Sequence, residues 1–352
     1  MPATFAEQQA LFAAAEAYFQ AAPWRNLPGE IPIVVEHDRT DQTSLCISMG
    51  AAGSVRGLAA YQGEPGRAGY ELTMRLAEDP EEAAALDPSW MMHLQHVLKM
   101  EFVDAAERRP GTKKLHRELG LKFRGRMRYP QADVMRPGYF PDGDLDSEQT
   151  RWLTDCLEAV TAVAYWDYAE LTALGRELWE TDTHLVLTRA GTDWTSRVTV
   201  LLPVAPWAML PELTLPQFAP PPPSANGKTL LLAVVPMETP VRDHLRDLPY
   251  FPLLCLAVDG RSGRVLVFET VTPTELPLQY GEWLTAALLT LGPVAATLLA
   301  ADEPTRQLTL PIVAPRGYEV EAAPDHPHLR ELLMHLRMFQ LNHADDASGP
   351  EG

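Results

Sequence analysis

The residues best suited to chemistry in this 352-residue chain form a basic segment between positions 108 and 128. The segment holds nine basic residues and one acidic residue, Glu118; its net charge of +8 leaves −26 for the remainder, since the whole chain carries −18. Phe123 and Tyr129 lie beside its alternating arginines, and guanidinium groups next to aromatic rings can hold phosphates and stack on bases. The candidate anion-binding residues are therefore Arg108, Arg109, Lys113, Lys114, Arg124, Arg126 and Arg128.

A second interpretation of the basic segment needs no ligand. The remainder of the chain is acidic enough to supply carboxylates that pair with the segment, within one molecule or between two copies. Both interpretations predict contacts that weaken as the salt concentration rises. The sequence leaves the choice between them open.

The other motifs that could bind metals, cofactors or substrates fail on spacing or context. The Gly-Lys-Thr tripeptide at 227–229 lacks the earlier glycine of a phosphate-binding loop, because Pro222 stands there, and an apolar strand follows it. His93 and His96 share a face only on a helix, and we expect a strand. The acids at 142–148 lack the glycine and the final acid of a calcium loop. We predict no metal ligand, no cofactor and no catalytic residue.

Composition excludes several classes of protein. With 46% hydrophobic and 22% charged residues, the chain can fill real cores, and its length predicts about two domains. Cys46, Cys156 and Cys255 are too few and too far apart for a disulfide scaffold, and we expect them to be buried in a reducing compartment. The acidic balance argues against a protein that binds nucleic acid over its whole surface.

No targeting or membrane segment is expected. The first residues lack the cationic start and apolar run of a signal peptide. Residues 283–301 carry no charge, but Gly292 and Pro293 interrupt them, so we predict a buried helix at about 281–291 and a buried strand at about 294–300. The sequence predicts a cytoplasmic protein without membrane contacts.

Hydrophobic periodicity predicts an α+β fold whose N-terminal domain, residues 1–180, is an antiparallel β-meander with flanking helices. Asp146 and Gln149 predict a capping box at the start of a long helix. The other expected elements are helices at 3–21, 68–78 and 112–120, strands at 31–36, 44–49 and 55–61, an irregular stretch to about 145, and a β-hairpin within 181–202. The run from about 90 to 103 favours a strand that ends near Val103, with a helix as the alternative.

A proline-rich stretch at 203–227 separates the two predicted domains, and we interpret it as a semi-rigid linker or as a ligand for an aromatic groove of a partner. Residues 228–343 then predict a C-terminal α/β two-layer domain with the order β-β-β-α-β-(α)-β-α. A flexible tail is expected at 344–352.

Several short motifs, in this order, resemble a family of uncharacterised bacterial proteins built from two domains of unknown function. The motifs are Ala22-Pro23-Trp24, Ser48-Met49-Gly50, Phe123-Arg124-Gly125-Arg126, Arg136-Pro137-Gly138-Tyr139, Val258-Asp259-Gly260 and Gly292-Pro293-Val294. The resemblance implies a cytoplasmic bacterial protein and supplies no activity.

Three functions are compatible with the sequence. The first is a non-catalytic interaction or regulatory protein that binds another protein or itself. The second is an enzyme or binder for an anionic small molecule, in which the arginines at 124–128 hold the anion and Asp133, or Asp142 with Asp144, supplies acid–base chemistry. The third is a nucleic-acid binder that makes a focused contact through the basic segment.

Overall fold

The computed structural model describes residues 1–27, 31–37, 42–51, 53, 55–181, 183–205, 207–217, 219–223, 228–244, 247–290 and 295–347. The chain divides into two compact units, the first comprising Met1–Glu71, Gln95–Arg136 and Pro141–Met209 and the second Leu72–Leu94, Pro137–Phe140 and Leu210–Gly352. Each unit therefore combines segments that are distant in sequence, whereas the sequence predicts contiguous domains. The units contain mixed sheets of seven and five strands, which confirms the α+β class.

The first unit is built on the seven-stranded sheet. Its strands are β1 (Ile33–Glu36), β2 (Thr43–Met49), β3 (Gly57–Gln62), β4 (Val97–Val103), β5 (Tyr129–Met135), β6 (His184–Ala190) and β7 (Asp193–Thr199). They lie in the order β5-β4-β3-β2-β1-β6-β7, and only β1 and β6 pair in parallel. The predicted meander and hairpin are both present, and the hairpin extends the same sheet.

Helices connect and cover these strands. They are α1 (Phe5–Ala21), α2 (Pro23–Asn26), α3 (Gly63–Glu78), α4 (Pro80–Ala85), α5 (Pro110–Glu118), α6 (Ser147–Ala164) and α7 (Tyr168–Thr181). The end of α3 and the whole of α4 lie in the Leu72–Leu94 segment of the second unit. Both long helices, α1 and α6, begin with a capping box. In α6 the Asp146 side chain accepts from the Gln149 N–H at 2.9 Å, as the sequence predicts.

The main core of the first unit lies between its sheet and the pair α1 and α6. Alternate strand residues point into it, among them Ile33, Val35 and Cys46. Tyr18 of α1 is completely buried there, and its hydroxyl donates to the Gly57 carbonyl at 2.7 Å. The phenol thereby ties α1 to the sheet.

Two predictions for the first half of the chain are wrong. The strand expected from about 90 begins only at Val97, because Asp87 caps a 3₁₀ turn at Pro88–His93 by accepting from the Ser89 N–H. The irregular stretch expected up to 145 contains β5. Pro130 disguises this strand, since proline cannot donate to a ladder; it is tolerated here because β5 lies at the edge of the sheet.

The second unit is built on the five-stranded sheet. Its strands are β8 (Lys228–Pro236), β9 (Leu253–Asp259), β10 (Val265–Val271), β11 (Ala295–Ala300) and β12 (Val320–Ala322), and its helices after β10 are α8 (Leu276–Thr290), α9 (Glu303–Val313) and α10 (Pro327–Ala347). The strands lie in the order β10-β9-β8-β11-β12, with β8, β11 and β12 parallel. The predicted order of elements is confirmed.

Helices pack on the second sheet, which explains why β8 is apolar and buried from Leu230 to Pro236, after the polar Lys228 and Thr229. Leu231, Ala233 and Val235 pack with α10, while Tyr280 of α8 hydrogen bonds with Thr309 of α9 at 2.8 Å. The last helix continues to Ala347, so the tail expected from 344 begins in helix. The predicted Gly292-Pro293 turn lies outside the described residues.

The proline-rich stretch contains no helix or strand among its described residues, 203–205, 207–217 and 219–223. Its second part packs within the second unit: the Thr214 N–H donates to the Pro277 carbonyl, and Arg316 Nε donates to that of Pro220, at 2.7 and 2.8 Å. Among the described helices, none has both the length and the apolar character required to cross a bilayer.

Candidate anion-binding site

A cavity of about 630 Å³ opens in the first unit where the basic segment passes α1. Helix α1 lines one side and the loop after α5 lines the other. The lining residues are Gln9, Phe12, Ala13, Glu16, Leu121, Lys122, Phe123, Arg124 and Arg128. The fold thus brings part of the basic segment to the edge of a concave surface, which is where small-molecule sites occur.

The loop that carries these cations is shaped by its local sequence. Helix α5 ends at Glu118, and the following buried Leu119 and left-handed Gly120 reverse the chain. Further along, the Met127 N–H donates to Asp104 Oδ1 at 2.6 Å. These contacts fix both ends of the loop and leave its middle, with Lys122 and Arg124, exposed.

Aromatic rings pack against one another at the wall of the cavity. The His116 ring packs edge-on against Phe12 and Phe123, with both centroid distances at 5.0 Å. Burial and the positive charge of Arg108 lower the pKa of His116 to about 4, so the ring is neutral at pH 7. Phe12 and Phe123 also line the cavity and give it an apolar surface.

Three of the predicted anion-binding arginines serve the protein itself. Arg109 forms an ion pair with the buried Asp133 and donates to the Ala132 carbonyl at 2.8 Å. Arg128 pairs with Glu16 at 2.8 Å, and its guanidinium lies 4.6 Å from the centre of the Phe19 ring. Arg108 stacks on Tyr129, 4.2 Å from the ring centre.

The other predicted residues are more open to solvent. Arg126 pairs with Asp104 at 3.6 Å but is 87% exposed, and Lys114 pairs with Glu118 at 3.8 Å on the surface of α5. Such exposed pairs contribute little stability. Lys113 also lies on α5, and it does not line the cavity. Of the seven predicted residues, the cavity brings together Arg124 and Arg128.

The cations at the cavity differ in whether they are already paired. Arg128 is held by Glu16, whereas Lys122 and Arg124 have no hydrogen-bond or ion-pair partner within the part of the chain that the structure describes. Lys122 is absent from the residues predicted to bind an anion, although it belongs to the basic segment. As far as the described residues go, the cavity therefore offers two unpaired positive charges beside an apolar surface.

The carboxylates considered for acid–base chemistry do not line this cavity. Asp133 is engaged with Arg109, and Asp142 pairs with Arg136 at 3.2 Å and accepts from the Asp144 N–H at 3.0 Å. Glu16 is the one carboxylate among the described lining residues, and Arg128 holds it. The arrangement is suited to an anion, but among the residues that the structure describes it brings no uncommitted carboxylate to the cavity.

His93 and His96, the two histidines that could share a metal ion on a helix, have different surroundings. His93 is buried in the 3₁₀ turn, where burial lowers its pKa to about 4. One ring nitrogen of His96, Nε2, lies 3.3 Å from the Met209 carbonyl oxygen. Among the described residues, no group of three or more His, Cys, Asp or Glu side chains is arranged to hold a metal ion.

The contribution of α1 to the cavity could not be read from the basic segment. Phe12 belongs to the helix that the sequence predicts at 3–21, and Glu16 lies one turn further on the same face. Their position opposite residues 121–128 depends on the packing of α1 and α6 on the sheet, which has no local sequence signal.

Two family models match the chain, which confirms the two domains of unknown function expected from its motifs. A domain of unknown function, DUF7309, matches residues 9–181, and a second, DUF6930, matches residues 222–337. No curated protein and no solved structure matches the chain. The cavity at the basic segment lies within the stretch matched by the first domain. The chain thus contains a match to DUF7309 followed by a match to DUF6930, two domains of unknown function.

Proposed function

We propose that this protein is a non-catalytic binding protein that recognises a phosphorylated small molecule in the cavity between α1 and the basic loop. The observation that carries this proposal is the presence of Lys122 and Arg124, without carboxylate partners among the described residues, at the edge of a cavity lined by Phe12 and Phe123. A regulatory role in the cytoplasm of a bacterium fits this proposal.

The charge distribution favours a small anion over a long one. The cavity is local, whereas the chain outside residues 108–128 carries −26 and would repel a polyanion that extends across it. A phosphate group needs only the two cations, and each charge-assisted hydrogen bond contributes about 1.5–3 kcal/mol. The apolar wall adds a surface for a ring.

The cations that hold the basic segment in place are not the ones that would bind the ligand, and this also supports the proposed function. Arg109 and Arg128 hold the segment in place through Asp133 and Glu16, so the loop does not need a ligand to keep its conformation. Lys122 and Arg124 make no such contribution within the described residues. A preformed site binds more tightly because less ordering is required on binding.

Native mass spectrometry of the full chain tests the ligand class. The protein is sprayed from low and from high ammonium acetate with tripolyphosphate, ATP or a single-stranded DNA oligonucleotide as probes. We expect one molecule of tripolyphosphate or ATP per chain at low salt, with ATP retained better because its ring can contact Phe123, and loss of both at high salt. Failure of both small anions to bind at low salt would overturn the proposal, and preferential binding of the DNA would replace it with nucleic-acid binding.

A further inference from the structure

A second cavity, of about 680 Å³, lies within the second unit at one end of its five-stranded sheet. Val234 and Val235 line it from the end of β8, and Ala301 and Asp302, which directly follow β11, lie beside them. Helix α10 and the segment that contains α4 complete the lining. We call this space the sheet-end cavity.

The sheet-end cavity lies at the place where open α/β sheets bind ligands. β8 and β11 are parallel neighbours, and the chain leaves them in opposite directions: β8 leads to β9 on one side, whereas β11 leads through α9 to β12 on the other. Ligands of such sheets bind in the crevice beyond the carboxyl ends of the strands, at this point of divergence. The topology therefore indicates a binding site here.

Asp302 brings a nearly buried carboxylate to the sheet-end cavity, since only 9% of the residue is exposed. Its Oδ1 accepts from the Thr305 N–H and its Oδ2 from Trp90 Nε1, both at 2.8 Å. A carboxylate has about four acceptor positions, so within the part of the chain that the structure describes two remain for a further donor. Burial raises the pKa of Asp302, and a positive charge beside the carboxylate would offset this cost of burial.

The same carboxylate argues against a phosphate in the sheet-end cavity. A phosphate at this place in a sheet binds to the free N–H groups at the start of the following helix. Here Asp302 caps α9 and accepts from the N–H of Thr305, while Pro304 has no N–H to offer. An anion would therefore meet a negative charge where it needs hydrogen-bond donors.

The other charged side chains of the lining also favour a cation. Asp87 and Arg337 neutralise each other in an ion pair at 2.7 Å. The side chains of Glu81, Asp325 and Arg330 form no ion pair or hydrogen bond with the described residues. Together with the buried carboxylate at the end of β11, this leaves three carboxylates against one guanidinium.

The rest of the lining is largely apolar. Val234 and Val235 are buried and Leu333 is half-buried, while Met334 and Met338 of α10 are 53% and 55% exposed. Thioether side chains are flexible and adapt to ligands of varied shape. The apolar part of a ligand would remove this surface from water, which favours binding.

We propose that the sheet-end cavity binds a protonated amine that carries an apolar body, with the ammonium group at Asp302 and the apolar part on Met334 and Met338. An ammonium group has three donors, and the two remaining acceptor positions of the carboxylate can take two of them. This site belongs to the second unit and takes the opposite charge from the ligand proposed for the cavity at the basic loop.

Calorimetric titration of the full-length chain at pH 7 with three matched probes tests which charge the cavity selects. Octylamine, octanol and octanoate have alkyl chains of nearly equal length and carry a positive, no and a negative charge. We expect octylamine to bind about tenfold or more tightly than the other two, because only its head group forms charge-assisted hydrogen bonds with Asp302. Equal binding of all three, preferred binding of octanoate, or no binding of octylamine would overturn the proposal.

Charge variants distinguish binding at the cavity from attraction of octylamine to the acidic surface in general. Glu81→Gln/Asp325→Asn removes two carboxylates of the lining, and Glu319→Gln/Glu321→Gln removes two exposed carboxylates of the same unit outside it. We expect octylamine to bind about fivefold more weakly to the first variant and nearly unchanged to the second. Equal losses in both would assign the binding to net charge and refute the site.

Two further variants locate the two parts of the ligand. Asp302→Asn can still cap α9 but carries no charge, and we expect it to weaken octylamine binding by about tenfold. Ala84→Trp fills part of the cavity from the exposed surface of α4, and it is expected to weaken octylamine and octanol alike. Octylamine binding that is unchanged in Ala84→Trp would contradict the site, and this variant can be measured even if Asp302→Asn fails to fold.

Discussion

At the scale of single residues, Tyr18 shows how one buried polar atom secures the first unit. Its hydroxyl donates to the Gly57 carbonyl at 2.7 Å and lies 2.8 Å from Ser48 Oγ, while the ring is fully buried. We expect Tyr18→Phe to lower the free energy of unfolding by about 1–3 kcal/mol, because it leaves a buried carbonyl without this donor. Urea denaturation measures the change, with the exposed Tyr165→Phe as control; equal effects of the two substitutions would contradict this role.

His93 gives a residue-scale prediction of pH dependence. Burial lowers its pKa to about 4, below the unfolded value of about 6.5, so the unfolded chain binds a proton more readily between these pH values. The contribution of neutral His93 to stability is present above pH 6.5 and is lost as the pH falls towards 4, to a limit of about 3 kcal/mol. We expect His93→Gln to reduce the loss of unfolding free energy between pH 7 and pH 4; an identical loss in both chains would refute the prediction.

At the scale of secondary-structure elements, a glycine allows β3 and β4 to approach each other. A Cβ atom on Gly57 would lie 2.1 Å from the Met100 carbonyl oxygen, and backbone cannot move away cheaply. We expect Gly57→Ala to destabilise the protein by about 4 kcal/mol or more. Gly111 in α5 has open space around its Cβ position, so Gly111→Ala is expected to be neutral or to stabilise by up to about 1 kcal/mol. Thermal unfolding of both variants measures these effects, and a larger destabilisation by Gly111→Ala than by Gly57→Ala would contradict the prediction.

Helix caps give a second comparison at this scale. Asp146 begins α6, which carries nine buried residues, whereas Asp79 begins the six-residue α4, which buries none. We expect Asp146→Ala to cost about 1 kcal/mol and Asp79→Ala clearly less, because fraying of α4 exposes no core. The two free energies of unfolding, measured under one set of conditions, decide this; a larger effect at Asp79 would be inconsistent with it.

Part of the secondary structure and part of the cavity could be predicted from the sequence. Periodic elements such as α6, and the order of elements in the second unit, follow from apolar spacing and caps, which are local signals. Edge strand β5 was missed because Pro130 interrupts its pattern. Of the residues that line the cavity, the sequence marks Arg124 and Arg128, which lie in the basic run, whereas Phe12 and Glu16 reach them through tertiary packing. The density of basic residues identifies the segment at 108–128, but it does not show which of its cations form ion pairs within the protein.

At the scale of the whole molecule, the net charge of −18 governs the response to salt. Repulsion among the excess carboxylates favours expansion of the chain, and salt screens it within a Debye length of about 8 Å at 0.15 M ionic strength. We expect the Tm at pH 7 to rise when salt is raised from a few millimolar to this range. Near the isoelectric point of about 4.9 the rise should nearly vanish. The same rise at both pH values would show that net repulsion is not the cause.

We propose that Lys122 and Arg124 bind an anion while Arg109 and Arg128 maintain the fold. A calorimetric titration with tripolyphosphate tests this division most directly. The double variant Lys122→Gln/Arg124→Gln is compared with Lys113→Gln/Arg117→Gln, which removes the same charge from α5 outside the cavity. We predict that the cavity variant loses affinity for tripolyphosphate by about tenfold or more, since each lost charge-assisted hydrogen bond contributes about 1.5–3 kcal/mol, and that its Tm is unchanged. The α5 variant is expected to bind nearly as the unmodified chain does. Equal losses in the two variants would show a general charge effect and contradict a site at the cavity.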